Sequence, residues 1–355
     1  SAPAKTQPKA KKNRLSSGFF RFVLTRFLLI IPTVFILVTI VFFVMRATGD
    51  PISAAMGGRL TPEELQRRIH AAGYDRPLVV QYLDYLGGLL RGDLGTTLTD
   101  NQPVTTILTR YGAATFELAF LSLIVALIVG IGLGRFAARR RDHAADAGIR
   151  VFAILCYATP VFFLGLMLKL VFAVWLNVLP PSGRSSFASD MQFQRLVSPT
   201  GFYIIDAFQL GDMSVLVDVL RHAVLPALAL GLLTAGVFIR LVRTNVISTY
   251  TSGYVEAARS RGVSEGRLLS KHAWRPAMIP IITVMGMQIA LMLAGAVLTE
   301  TTFEWKGLGF MLSQYLKQRD FVAVQGIVIL IAIIVAVVNF IVDVISALID
   351  PRVRY

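Results

Sequence analysis

Apolar residues fill six long stretches of the chain almost without interruption, at 27–45, 116–134, 151–176, 223–242, 277–299 and 321–348. A hydrocarbon core about 30 Å thick needs roughly 20 helical residues at about 1.5 Å of rise each. Each stretch is therefore long enough to cross a bilayer, and the pattern predicts an all-α membrane protein with six transmembrane helices. Pro160, after Tyr157-Ala158-Thr159, is expected to kink the third span.

The intervening stretches are polar. The first, 46–115, is long enough for a small helical cap. Within it Thr61-Pro62-Glu63-Glu64 reads as an N-cap, a proline at the first helical position and acids in the first turn, so a helix is expected to about Ala72, stopped by Gly73. The second, 177–222, opens on Leu179-Pro180-Pro181-Ser182-Gly183 and lacks apolar periodicity, which predicts an irregular loop with at most short helices. Such loops suit contact with an extracytoplasmic partner, or serve simply as solvated covers over helix ends.

Composition sharpens this picture. Of 355 residues, 55% are hydrophobic and 16% charged, and the mean hydropathy is +0.65. The net charge of +14 does not read as a nucleic-acid binder, because the charges sit between apolar stretches rather than on one face of a soluble fold. Their distribution instead orients the chain. Segments 1–26, 135–150, 240–276 and 350–355 carry roughly 2.6 times the Lys and Arg density of the opposite segments, which places both termini in the cytosol by the positive-inside rule.

Residues 1–26 hold seven Lys or Arg and no acid, and read as a basic cytosolic tail and lead-in to the first span. A signal peptide is disfavoured because 27–45 exceeds the usual apolar core of such peptides and Arg46-Ala47-Thr48 is a poor cleavage site. The predicted organisation is thus the tail, a first helix at 27–45, an extracytoplasmic segment at 46–115, a five-helix core over 116–349 with an external loop at 177–222 and a cytosolic loop at 243–276, and a short cytosolic end at 350–355. The single cysteine, Cys156, excludes an intrachain disulfide.

The cytosolic loop carries the most mechanism. Residues 254–261 are good helix formers, Gly262 can take the left-handed conformation that stops a helix, and Ser264-Glu265 can cap the next one. Pro276 and Pro280 are expected to break the lead into the fifth span. A short rigid helix on the cytosolic face, with small Ala257 and Ala258 allowing close approach, suits docking of a cytosolic motor. An ordinary basic loop explains the same spacing.

Glu256-Ala257-Ala258 followed by Gly262, with proline at the start of the next helix, resembles the EAA loop of binding-protein-dependent ABC importer permeases. Further stretches resemble their dipeptide and oligopeptide branch: Gly49-Asp50-Pro51, Asp75-Arg76-Pro77-Leu78, Gly92-Asp93-Leu94-Gly95, Leu179-Pro180-Pro181-Ser182-Gly183, His222-Ala223-Val224-Leu225-Pro226, Glu300-Thr301-Thr302-Phe303-Glu304-Trp305-Lys306-Gly307-Leu308-Gly309 and Asp350-Pro351-Arg352-Val353-Arg354-Tyr355. Two departures stand out: Met278-Ile279-Pro280 where the broader pattern has Ile-x-Leu-Pro, and Lys306 where this branch often has proline.

The resemblance implies a type I importer fold in the bacterial inner membrane. A homologous second permease would complete the path, two ATP-binding subunits would dock on the loops, and an extracytoplasmic substrate-binding protein would deliver peptides. It implies a docking role for Tyr254, Glu256, Ala257, Ala258, Arg259, Arg261 and Gly262. ATP and Mg²⁺ would be bound by the partners and no cofactor by this chain.

Inside the spans, Asn339, Asp343, Ser346 and Asp350 share one helix face. That polar stripe reads either as an ion relay or as interhelical hydrogen bonding. Lys169 is expected to pair with a carboxylate or face an aqueous path, and Glu117, at a span end, to be interfacial. Met285, Gln288 and Met292 line a candidate path wall in the fifth span, although ordinary packing explains them too.

There is no Gly-x-x-x-x-Gly-Lys-Ser/Thr loop, no His-Glu-x-x-His pair and no Gly-x-Ser-x-Gly elbow, so no nucleotide or hydrolase site is expected here. The alternative reading is an ion-coupled secondary transporter that needs no motor, with Asp343 as its coupling site.

Overall fold

A computed structural model of the chain describes residues 14–349, and those residues are helical apart from turns and one isolated bridge, Thr96 to Pro103. The basic tail as far as residue 13 and the segment 350–355, with Asp350 of the polar stripe, lie outside the described residues. In chain order the helices are α1 (Arg14–Ala47), α2 (Pro51–Met56), α3 (Pro62–Ala71), α4 (Leu78–Leu90), α5 (Val104–Arg139), α6 (Ala144–Ala158), α7 (Val161–Leu168), α8 (Phe187–Phe193), α9 (Tyr203–Leu210), α10 (Met213–Tyr250), α11 (Gly253–Ser260), α12 (Glu265–Arg267), α13 (Trp274–Phe303), α14 (Leu308–Lys317) and α15 (Phe321–Ile349). Wide π-helical turns continue α7 over Lys169–Trp175 and join α12 to α13 over Leu268–Ala273.

Five helices are long and apolar enough to cross a membrane singly: α1, α5, α10, α13 and α15. The third predicted span does turn at Pro160, and more sharply than a kink: it consists of α6 and α7, bent by 108° relative to one another. Pro160 is the cause, since the residue before a proline is driven out of the α region, and Thr159 sits at φ −81°, ψ 127°. Contacts along α10 show that the broken pair still traverses the bundle. Asp146 meets Arg243, Ala153 and Cys156 abut Gly236, and Phe172 packs with Leu225 and Ala229. Six crossings result.

The helices also run past their apolar cores. α5 starts at Val104 and α10 at Met213, so the ends of both predicted external segments are helix rather than loop. Hydropathy marks where a helix meets lipid, not where its backbone hydrogen bonds end. At the fifth span the prolines do not interrupt the helix. Pro276 follows closely on the wide π-helical turns of Leu268–Ala273, and Pro280 is carried inside a helix that runs on to Phe303. The expected cap held: Thr61 Oγ1 accepts from the Glu64 N–H, α3 ends at Ala71, and Gly73 follows at φ +72°.

α5 and α10 form the centre of the bundle, packed at van der Waals distance through glycine. A Cβ on Gly130 would lie 2.5 Å from Phe238 Cβ, and one on Gly134 2.7 Å from Val242 Cβ. With little hydrophobic drive between helices in lipid, that closeness supplies the dispersion contact which holds them. α13 meets α15 in the same way, since a Cβ on Gly286 would fall 1.6 Å from Val342 Cγ1. α1 stands at the edge, antiparallel to α15, with Phe27 edge-on to Phe340 and Arg26 3.4 Å from Asp343.

Candidate functional site

Two polar assemblies sit at opposite ends of the bundle. At the first, Ser252 separates α10 from α11 in an extended conformation (φ −75°, ψ 150°). Helix α11 turns only Val255 fully inward, leaving Tyr254, Glu256 and Ala257 exposed and Ala258 and Arg259 half-buried. It ends in a Schellman turn: the Gly262 N–H donates to the Arg259 carbonyl (2.9 Å), the Val263 N–H to Ala258 (3.3 Å), and Gly262 takes φ +80°. A Cβ on Gly262 would touch nothing within 4 Å, so its requirement is purely conformational. Arg261 caps the helix and is exposed.

What braces this hairpin is a clamp of three side chains, Tyr250, Arg259 and Glu265. Arg259 Nε donates to Glu265 Oε1 at 2.8 Å, the Tyr250 hydroxyl donates to the same carboxylate, and the guanidinium lies 5.0 Å from the Tyr250 ring centre. Glu256 is a weaker neighbour, 3.5 Å from Arg259. Of the clamp only Arg259 was expected at the site. Glu265 read as a cap, yet Ser264 makes no side-chain cap and the carboxylate reaches back to α11 instead. Beneath the hairpin, Asp146 is wholly buried and accepts twice from Arg243, at 2.6 and 2.7 Å, fixing the start of α6 to the last turns of α10.

The Arg259 hydrogen bond, and then that of Tyr250, hold the Glu265 carboxyl below the usual carboxylate range. A folded-state pKa that is depressed contributes stability above the unfolded value, and that contribution is lost as pH falls through the folded value. The α11 hairpin is therefore expected to be equally protected from pH 8 to about 5 and to loosen below about pH 4. Amide hydrogen exchange over 258–266, corrected for intrinsic rates, measures this, and Glu265→Gln should remove the acid step. An unchanged step in that variant would assign the effect elsewhere.

The predicted path residues diverge. Met292 is 2% exposed in a cluster with Leu118, Leu230 and Trp305, whereas Met285 and Gln288 are half-buried. The exposed stripe of α13 is instead Met287, Leu291 and Leu298, which sequence reasoning missed. Lys169 is half-buried and, among the described residues, pairs with no carboxylate. Its Nζ donates to the Thr302 carbonyl at 2.9 Å, beside the Phe303 ring, at the C-terminal end of α13 where carbonyls lack helical partners and the dipole favours a cation. The polar stripe splits: Asn339 is exposed, Asp343 faces Arg26, and Ser346 is buried.

At the opposite end, Glu117 is buried within the protein, 4% exposed. It accepts from Arg184 at 2.6 Å and from the Ile204 N–H at 2.8 Å. Arg184 in turn lies 3.7 Å from the Tyr203 ring centre and donates to the Gly201 carbonyl. Alongside, buried Glu300 accepts from the Thr115 hydroxyl (2.6 Å) and the Phe310 N–H (2.9 Å), while Trp305 Nε1 donates to the Ala114 carbonyl. A Cβ on Gly307 would lie 2.4 Å from Glu300 Oε1, so glycine there is what admits the carboxylate. The turn at Lys306 is made by Glu304 at φ +51°, with Lys306 itself pointing to the surface. Together these bonds knit the 177–222 loop and α14 onto α5 and α13. The motifs Leu179 to Gly183 and Glu300 to Gly309 flagged the region, but partners separated by 67 and 185 positions leave no local spacing signal.

Five membrane-length helices, a bent pair that makes a sixth crossing, buried polar knots and one braced hairpin are the architecture of a multi-pass α-helical membrane protein. Residues 130–355 match the family described as the binding-protein-dependent transport system inner membrane component, and residues 19–110 its N-terminal component. The chain belongs to this family, has its type I ABC permease fold, and is a multi-pass protein of the inner membrane. It is 37% identical over 336 residues to the di/tripeptide transport system permease protein DppB of Pseudomonas aeruginosa, covering 94% of this chain and 98% of that one. To the dipeptide transport system permease protein DppB of Escherichia coli K12 it is 37% identical, covering 94% and 99%. To the glutathione transport system permease protein GsiC of Salmonella choleraesuis it is 31% identical, covering 94% and 99%.

Proposed function

We propose that this chain is one of two homologous permease subunits of an ATP-driven importer of di- or oligopeptides. The observation that carries the mechanism is the braced α11 hairpin: one buried anchor at Val255, an exposed Tyr254-Glu256-Ala257 surface, and a clamp that makes the helix a rigid body. Two ATP-binding subunits would grip this helix, one on each permease, and hold ATP and Mg²⁺ themselves. Their closure would move α11 as a unit and, through Arg243 and Asp146, tilt α10 and α6 between outward- and inward-open states. In this orientation α11 and both termini face the cytosol, while α2–α4 and the 177–222 loop face a substrate-binding protein outside. The exposed α13 stripe then faces the path shared with the second permease. Peptide as the cargo is supported by the names of the relatives.

Uptake by cells tests the cargo and assembly together. Deletion of the coding sequence is expected to abolish uptake of labelled di- and tripeptides and to confer resistance to a toxic dipeptide. Affinity purification in mild detergent is expected to bring down a second permease and ATP-binding subunits. Undiminished peptide uptake in the deletion strain would overturn the cargo, and isolation of the chain alone would overturn the assembly.

A further inference from the structure

Helix α4 lies within the segment expected to be extracytoplasmic, yet it does not resemble a water-bathed helix. At about 100° per residue, Leu78–Leu90 has three distinct faces. Gln81, Tyr82 and Tyr85 point at α1. Val79, Leu83, Leu86 and Leu90 fall within an arc of about 60°, and Val79, Leu83 and Leu90 are 66%, 61% and 90% exposed. Asp84 lies about 130° round from the middle of that arc, paired at the surface with Arg76 at 3.4 Å.

Where α4 is attached sets its depth. The Tyr82 hydroxyl is 2.6 Å from Thr39 Oγ1, Tyr82 and Tyr85 pack on Phe42 with ring centres 5.2 and 5.4 Å away, and Arg46 Nε donates to Gln81 at 3.0 Å. α1 runs antiparallel to α15 with residue 26 beside 343 and 27 beside 340. Residues 39–46 therefore lie level with roughly 322–329, the first two turns of α15 and the rim of the hydrocarbon. The neighbouring α1 side chains Ile36, Ile40, Phe43 and Val44 are also exposed. They belong to the lipid-facing surface of a membrane-crossing helix, and the apolar arc of α4 continues that surface sideways.

We propose that α4 is an interfacial helix lying in the leaflet opposite α11, with Val79, Leu83, Leu86 and Leu90 in the acyl region and Asp84 among the headgroups. The partner of its exposed face is lipid. Tyrosines at its inner edge and Arg46 beneath it occupy the zone where amphipathic side chains settle at a membrane surface. The small α2–α4 cap is thereby seated on the bilayer as well as on α1.

Spin labels read this directly. Single cysteines at Val79, Leu83 and Asp84, in a Cys156→Ser background, are nitroxide-labelled in the assembled complex in nanodiscs of phosphatidylethanolamine and phosphatidylglycerol. The ratio of oxygen to nickel-chelate accessibility is expected to be at least roughly fivefold higher at 79 and 83 than at 84, because oxygen partitions into acyl chains and the chelate does not. High nickel accessibility at 79 and 83 would overturn the proposal by placing the face in water. Protection from both reagents would overturn it by placing the face against protein, whether a second permease or a binding protein. Two apolar sites keep the result independent of any one label's effect on folding.

Discussion

Arg184→Met is expected to destabilise the subunit by about 3–5 kcal/mol, because it leaves the Glu117 carboxylate buried without its cation. Both side chains are almost fully enclosed, 7% and 4% exposed, and they meet at 2.6 Å. Arg184 also covers the Tyr203 ring and anchors the Gly201 carbonyl, so its loss frees the 177–222 loop from α5. The pairing rather than the mere presence of charge is what matters. The double variant Glu117→Gln with Arg184→Met should recover most of the loss, as buried ion pairs replaced on both sides often do. Detergent-induced unfolding of the purified complex measures both. A single-variant loss under about 1 kcal/mol is the magnitude of a solvent-exposed pair, and would contradict the burial described.

Gly262→Val is expected to act on coupling rather than on the bundle. The left-handed conformation costs a residue with a Cβ about 1–2 kcal/mol, more for a β-branched one, and the Schellman bonds to Arg259 and Ala258 depend on it. No atom lies near the added Cβ, so the helices around it should pack unchanged. ATP-driven uptake in the reconstituted complex should fall about tenfold, the factor that corresponds to about 1.4 kcal/mol, with the thermal midpoint of the bundle little altered. Gly262→Asn, better tolerated at positive φ, should retain most uptake. Equal loss in both variants would show that the conformation at 262 is not what matters.

The hydrophobic pattern carried most of the fold because lipid imposes a length on every crossing helix, and a run of about 20 apolar residues has few other uses. It misjudged three features that depend on local backbone chemistry. Pro276 and Pro280 are carried within a continuous helical backbone rather than breaking it, while Pro160 makes the expected bend a sharp corner by forcing Thr159 to be extended. Polar helix ends beyond the apolar core carry no hydropathy signal, so the starts of α5 and α10 fell within expected loops. α4 was overlooked because a short apolar helix interrupted by Gly87 and Gly88 fits neither a full span nor a soluble helix.

At the site, local spacing found α11 and Gly262, since a helix stop is written in adjacent residues. It missed Glu265 as the clamp and the pairing of Glu117 with Arg184, because each depends on a partner that only the folded chain brings close. Lys169 was expected to pair with a carboxylate or face an aqueous path, and the backbone carbonyl at the end of α13 is a partner that no sequence spacing announces. Met292, buried in a cluster with Leu118 and Leu230, carries an apolar signature that sequence alone cannot divide between packing and path.

In the function proposed above, this subunit is a passive gate moved through α11 by separate ATP-binding subunits. Peptide uptake into proteoliposomes, compared with and without those subunits and under ATP or an imposed ion gradient, tests it most directly. Uptake is expected only with the ATP-binding subunits and ATP present, and none from a proton or sodium gradient alone. Gradient-driven uptake by the permease pair without them would contradict it.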